Sequence, residues 1–369
     1  MPLVQRLNFG PQKRYSSGNI PIHSIFAILH LISSILKSME YRFMDRHFHH
    51  SFALTNQYRY KFNIMKSITL FLATLAILLT LDGKAQEVFL KTEYIGNSGY
   101  YYLPPGEKPK QKIGNSKGSA MVYQAGVNIP LSMTLNENKR PTAWGIGFGG
   151  SYVSLKNQNF SEYMVSEIMN IQMGVYHLRP LNDRWSLRAS VGMGVFSPST
   201  DFSKIGFRNV LASGSAVFIR HLNPRLDIGG GLAINSSLGY PMIFPAVYVK
   251  WRHSGKFDVN IELVEGLDVS AGYAFNDRFK LSYALEMNGQ IALLKKDGKD
   301  VIFSHQYIVT GFRPEIKLGE KVSVTGMAGL NLYRPAAYSD RTLKGVFAGD
   351  NDYYFSVSPY GSVGLKMKF

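Results

Sequence analysis

The chain of 369 residues has no cysteine, which excludes disulfide stapling, thiolate nucleophiles and cysteine metal sites. It also lacks helical patterning: beyond residue 86 no stretch keeps a 3.6-residue apolar period for three turns. No apolar run in that region approaches the roughly 20 residues of a spanning helix, and the mean hydropathy of -0.07 agrees. Those absences remove helical bundles, both soluble and membrane-embedded. A compact basic cluster is missing too, despite a formal charge of +16. Residues 1–64 carry eight Lys/Arg against two Asp/Glu, residues 65–85 two against one, and the remainder 31 against 22. Positive charge dispersed over strands and turns does not make a nucleic-acid footprint, so no nucleic-acid partner is expected. What is abundant is glycine (35), tyrosine (22) and phenylalanine (23), the composition of a β-rich chain.

One segment has clear punctuation, "MKSITLFLATLAILLTLDGKAQ" at 65–86. Lys66 supplies a positive start, Ile68 to Leu81 an apolar core of signal-peptide length, and Gly83-Lys84-Ala85 a small-x-small cleavage site. Cleavage is expected between Ala85 and Gln86. Residues 1–64, with "RHFHH" at 46–50 and five of the nine histidines, show no period and read as a spurious, disordered extension ahead of a true start at Met65. Histidines there have no surrounding structure to fix them as metal ligands.

From residue 86 onward the pattern has period two. "WSLRASVGMGVF" (185–196) alternates Trp185, Leu187, Ala189, Val191, Met193 and Val195 with Arg188, Ser190 and glycines. "FDVNIELV" (257–264) sets Phe257, Val259, Ile261 and Leu263 against Asp258, Asn260 and Glu262. Short turns rich in Asn, Asp and Gly (181–184, 223–225, 254–256, 276–278, 318–321) alternate with long connectors (97–118, 155–162, 197–206, 236–242, 294–300, 334–352). The expectation is an all-β, antiparallel up-and-down transmembrane barrel of about 14 strands, starting near 87, 119, 142, 164, 185, 207, 226, 243, 257, 267, 279, 301, 321 and 353. Twelve strands is the alternative, because the 257–275 pair is short. The domain organisation is thus an extension (1–64), a signal peptide (65–85) and a barrel (86–369).

Three features turn the apolar face toward lipid. The other face mixes Ser, Asn, Gly and Tyr with scattered ions, as a lumen lining does. Trp144, Trp185, Trp251, Phe279, Tyr353 and Phe369 sit near strand ends, where interfacial girdles form. Finally, "YGSVGLKMKF" alternates to the last residue, as a strand must if it closes a barrel in hydrocarbon. Val357, Val363, Leu365, Met367 and Phe369 would then face lipid, and Ser358, Tyr360, Ser362, Lys366 and Lys368 the lumen.

The terminal aromatic with apolar Val363, Leu365 and Met367 upstream resembles the assembly signal of Gram-negative outer-membrane β-barrel proteins. Together with "LNDRWSLRASVGMGVF" (181–196) and "GLAINSSLGYPMIFPAVYVKW" (231–251), it makes the chain resemble a barrel family known only as a domain of unknown function. The resemblance implies the bacterial outer membrane, contact with its lipid and lipopolysaccharide, and delivery by the barrel assembly machinery. It brings no catalytic residues.

Candidate chemistry is sparse. "GNSKG" (114–118) has the spacing of a nucleophile elbow but lies in a Pro/Gly/Lys loop without the following helix such an elbow needs. His177, His221 and His253 precede short turns beside Arg179, Arg220 and Arg252 and read as solvated strand ends; His305 reads as lying near a loop. The lumen-facing ions expected from alternation are Arg188, Asp227, Lys250, Arg252, Asp258, Glu262, Asp268, Lys280 and Glu286, four basic and five acidic, which points to cross-strand pairing rather than a selectivity ring. Lumen-side glycines (Gly145, Gly147, Gly149, Gly192, Gly194, Gly229, Gly231) would ease strand curvature or admit a solute. The Tyr- and Lys-rich loop "YYYLPPGEKPKQK" (100–112) has the composition to hold an anionic glycan. A monomeric, non-enzymatic barrel without cofactor or metal is expected, passing small polar solutes; a structural or adhesive surface protein, then a lipid-active enzyme, are the alternatives.

Overall fold

The computed structural model describes residues 87–104, 109–136, 140–236, 242–263, 267–342 and 353–369. The expected extension, the signal peptide and its cleavage point at Ala85 and Gln86 lie outside the described residues. Seventeen strands follow one another: β1 (Glu87–Ser98), β2 (Tyr100–Tyr102), β3 (Gln111–Lys112), β4 (Lys117–Leu135), β5 (Pro141–Gln158), β6 (Glu167–Pro180), β7 (Trp185–Ser197), β8 (Val210–Asn223), β9 (Leu226–Asn235), β10 (Met242–His253), β11 (Phe257–Leu263), β12 (Leu267–Ala274), β13 (Phe279–Lys296), β14 (Lys299–Lys317), β15 (Val322–Asp340), β16 (Tyr353–Phe355) and β17 (Ser358–Lys368).

Fourteen of them are the staves of one closed antiparallel barrel. β4 to β15 pair in sequence, β15 pairs with β17, and β1 joins β17 to β4. Closure is in register from Glu87↔Lys368 to Ile95↔Tyr360 on one side of β1 and from Glu87↔Asn128 on the other. Both ends of the barrel sequence therefore lie at the same rim. Ion pairs fasten that seam, Glu87 Oε1 to Lys366 Nζ at 2.6 Å and Glu87 Oε2 to Lys368 Nζ at 3.8 Å.

The turns of this rim repeat one device. Asn182 Oδ1 accepts from the Arg184 and Trp185 amides at 2.9 and 3.0 Å, and Asn276 Oδ1 from those of Arg278 and Phe279 at 2.9 and 2.8 Å. The "NDRW" and "NDRF" echo is this Asn-closed turn. At the opposite rim two of the connectors expected to be long are largely strand. Residues 294–300 form a tight hairpin, with Lys296 opposite Lys299 and both Asp297 (φ 49°) and Gly298 (φ 80°) left-handed, the backbone that a two-residue turn demands. β15 runs on to Asp340 inside the connector expected at 334–352. The strand expected from 353 is two: β16, then β17 from Ser358. β2, β3 and β16 make a small second sheet on Arg334 and Pro335 of β15.

Side-chain direction follows the alternation. Val191 and Met193 on β7 are 65% and 52% exposed, Leu232 on β9 60%, Phe312 on β14 60% and Val363 on β17 64%. Such a continuous belt is far larger than the apolar patch a water-exposed surface tolerates. Strong curvature is built in with glycine. At Gly231 an added Cβ would lie 2.0 Å from the Ala216 carbonyl oxygen of the neighbouring strand, so no side chain fits. Gly231→Ala is therefore expected to destabilise the barrel by about 1–3 kcal/mol through overpacking. A lowered midpoint for loss of the compact, heat-modifiable band on a gel checks this; an unchanged midpoint would contradict it.

Candidate functional site: the barrel interior

The charged residues expected to line the lumen sit in pairs and short chains. Lys280 lies 3.2 Å from Asp258 and 3.6 Å from Glu315. Lys250 lies 3.4 Å from Glu262. Arg313 reaches both carboxylate oxygens of Asp268 (3.0 and 3.3 Å) and one of Glu286 (2.8 Å). Asp227 meets His221 at 2.7 Å. Arg188 and Arg252 lie within electrostatic reach of Tyr248, as does Asp227. These groups occupy β7 to β14 toward the rim of short turns.

A fully buried ionic group was not singled out from the sequence. Glu93 on β1 is fully buried; it accepts from Tyr307 (2.5 Å), Tyr360 (2.6 Å) and Gln124 (2.9 Å) and pairs with Lys91 at 2.5 Å. Lys91 also reaches Glu286 at 3.1 Å, which links this cluster to Arg313. Lys91 and Glu93 alternate with Leu90, Thr92 and Tyr94 in "FLKTEY", and that period was the available signal. Its two tyrosine partners come from strands more than 200 positions away, which no local pattern reveals.

Toward the opposite rim the interior is apolar. Ile95, Val122, Val153, Ile168, Ala292, Phe303 and Tyr307 belong to one buried cluster; Phe196, Leu211, Leu293 and Ile302 form another. The β13–β14 hairpin causes this by leaning across the barrel. Asn170 Nδ2 on β6 donates to the Ile291 carbonyl at 2.9 Å, and Asn209 Nδ2 to the Leu293 carbonyl at 2.5 Å. His305 is thus not near a loop. It is fully buried within β14, opposite Gln290 and Ala336. His221 is likewise no solvated strand end, since both its ring nitrogens have partners.

A cap of rings covers this end. Tyr100 stacks on Phe160 at 4.8 Å and on Tyr353 at 5.7 Å, and donates to the Ala336 carbonyl at 2.5 Å. Burial pushes the Tyr100 phenol well above its ordinary pKa. Tyr353 is accordingly part of the cap and not of an interfacial girdle. Within "GNSKG", Ser116 is buried with its hydroxyl donating to the Tyr100 carbonyl at 3.1 Å, and the chain continues into β4, a strand. It has no nucleophile-elbow geometry.

The β7–β9 side of the interior is different. On β7 its inward positions Ser190, Gly192 and Gly194 face Ser215, Ser213 and Leu211 of β8. On β9 Ala233, Gly231 and Gly229 face Ser215, Val217 and Ile219, so that buried Leu211, Val217 and Ile219 are the larger side chains among small ones. The wall beside it is low. β11 and β12 have seven and eight residues, rising about 17–19 Å at a 45° tilt, against an apolar band about 25 Å tall. The ladder between β10 and β11 stops at Val249↔Leu263, and that between β12 and β13 at Asp268↔Glu286. Above those pairs the described residues place no strand between β10 and β13, which stand three strand spacings, about 14 Å, apart. Met242 of β10 and Ile291 of β13 meet again around the Leu293 cluster. The result is a window in the side of the barrel.

The Glu93 network should dominate the stability of this interior. Glu93→Ala leaves Lys91, Tyr307 and Tyr360 facing a void and is expected to cost about 3–5 kcal/mol, read as a lower urea midpoint of unfolding from lipid vesicles. A shift below about 1 kcal/mol would show the network to be dispensable.

Among solved structures the chain is similar to the translocator domain of the autotransporter NalP from Neisseria meningitidis (14% identity, TM-score 0.34, 83% of this chain and 96% of that one). It is also similar to the COG4313 outer membrane channel from Pseudomonas putida F1 (9% identity, TM-score 0.39, 78% and 96%) and to the Pseudomonas putida toluene transporter TodX (9% identity, TM-score 0.30, 79% and 90%). At these scores the likeness ends at the β-barrel. No curated protein matches the chain. The family described as domain of unknown function (DUF6268) matches residues 81–368, and the chain belongs to it.

Proposed function

We propose that this chain is a bacterial outer-membrane barrel that passes small solutes between the rim of short turns and the window between β10 and β13. Its exposed apolar belt supports the membrane placement, with lipid and lipopolysaccharide as its surroundings, the barrel assembly machinery as its route and a self-contained monomer as its form. The observation that carries the passage is the distribution of bulk inside. One side is filled by the Glu93 network and the leaning β13–β14 hairpin, while the β7–β9 side is lined mainly by serine, glycine and alanine, with Leu211, Val217 and Ile219 of β8 as its larger side chains. The lower lining is ionic and the window is edged by Met242, Phe244 and Met287. The solute class is therefore small and polar, with one apolar end that tolerates the window.

Flux through proteoliposomes tests this. The wild-type barrel is expected to admit a small phenolic dye, and Ala246→Trp, on the inward face of β10 beside the window, to cut the rate at least about fivefold. Ala212→Trp on the outward face of β8 should leave it unchanged. Absence of wild-type flux, or equal flux in Ala246→Trp, would overturn the passage.

A further inference from the structure

Near the rim of short turns one of the lumen's ionic pairs extends, through a third inward side chain, into a chain of three. Ser186 Oγ on β7 lies 2.8 Å from His221 Nε2 on β8, and His221 Nδ1 lies 2.7 Å from Asp227 Oδ1 on β9. We propose that Ser186, His221 and Asp227 form a nucleophile, general base and orienting carboxylate that hydrolyse small carboxylic esters reaching the lumen from this rim.

The order of contacts is what the chemistry needs. A hydroxyl becomes a nucleophile when a base takes its proton, and an imidazole is a useful base when its other nitrogen is fixed by a carboxylate. A brace between strands would need only one of these two contacts. Register sets the geometry: His221 is directly opposite Asp227, and Ser186 opposite Ile219, two residues before His221 on the same face. The regular register that runs from Ser213↔Asn235 carries Asp227 to the histidine, and the pairing shifts only beyond it, between His221 and Asn223. His221 and Asp227 side chains are 21% and 20% exposed, while Ser186 is 5% exposed at their edge. Backbone amides in a strand are committed to the ladder, so developing oxyanion charge must meet a side chain. Arg188, two residues from Ser186 on the same face, is the cation placed to do this.

In the reaction Ser186 Oγ attacks the ester carbonyl carbon as its proton passes to His221 Nε2. The tetrahedral intermediate collapses with cleavage of the bond to the alcohol, which leaves with that proton. Water, deprotonated by His221, then attacks the acyl-serine and releases the acid, and Ser186 recovers its proton. Ester and water become acid and alcohol, with no other reactant.

The test uses the whole folded barrel in detergent, with a fluorophosphonate probe for the serine and para-nitrophenyl acetate as substrate. Labelling is expected on Ser186 by peptide mapping. It should vanish in Ser186→Ala, and hydrolysis should fall at least about 100-fold in His221→Gln and Asp227→Asn, with partial recovery in Asp227→Glu. Ser190→Ala, outside the chain of contacts, should retain both activities. Each variant is scored only as heat-modifiable, folded protein, and if Ser186→Ala does not fold, His221→Gln decides. An unlabelled folded wild type, labelling at another serine, or hydrolysis indifferent to His221→Gln would overturn the proposal. Solute flux is a separate readout, so either conclusion can fail alone.

Discussion

Everything in this fold depends on backbone hydrogen bonding in surroundings that offer no substitute for it. A strand edge facing hydrocarbon leaves its amides and carbonyls unmet at several kcal/mol each. β1 resolves this at the seam by pairing with β17 on one side and β4 on the other. The same constraint gives meaning to the place where the ladder stops. Above the β11–β12 hairpin, β13 loses its neighbour and turns inward, and two asparagine amides take up the carbonyls of Ile291 and Leu293. Low wall, leaning hairpin and side window are one event, originating in two strands of seven and eight residues beside others of eighteen and nineteen.

This explains which parts could be read from the sequence. Period two gave fourteen staves nearly where they stand, because a barrel strand with lipid on one side and a lumen on the other must alternate. The short turns were legible through Asn and Asp chemistry, as at Asn182 and Asn276. The failures fall where that two-sided environment ends. Val301, Ile302 and Phe303 are consecutive apolar residues, all buried, because this part of the hairpin packs on both faces. Lys295, Lys296 and Gly298 read as a long connector at 294–300 with the next strand starting only near 301, which places His305 near a loop. The connector expected from 334 hid Arg334, which is buried with its guanidinium 3.6 Å from the Phe355 ring.

Interior contacts were illegible for another reason. Alternation says which side chains point inward, but not their height or their partners across a dozen strands. Glu93 meets Tyr307 and Tyr360, residues separated from it by 214 and 267 positions. His221 precedes a turn in the sequence, which suggested solvent, yet the register of three strands surrounds it with Ser186 and Asp227. Pairing register is a property of the closed sheet, and these contacts exist only once it is set.

The interior of this barrel is extensively ion-paired, but side-chain size is unevenly distributed within it. Stability here is concentrated on the β1, β13, β14 and β17 side, where Glu93, Glu286, Arg313 and the apolar clusters fill the space. The β7–β9 side contributes less bulk: rows of serine, glycine and alanine on β7 and β9, and on β8 Ser213 and Ser215 between Leu211 and Val217. If curvature alone had selected those residues, glycine would be needed only where a neighbouring carbonyl crowds it, as at Gly231. Ser190 and Ser215 carry no such constraint, and their hydroxyls satisfy one another at 2.8 Å. Small, polar and mutually satisfied residues are the wall that the proposed passage requires on this side.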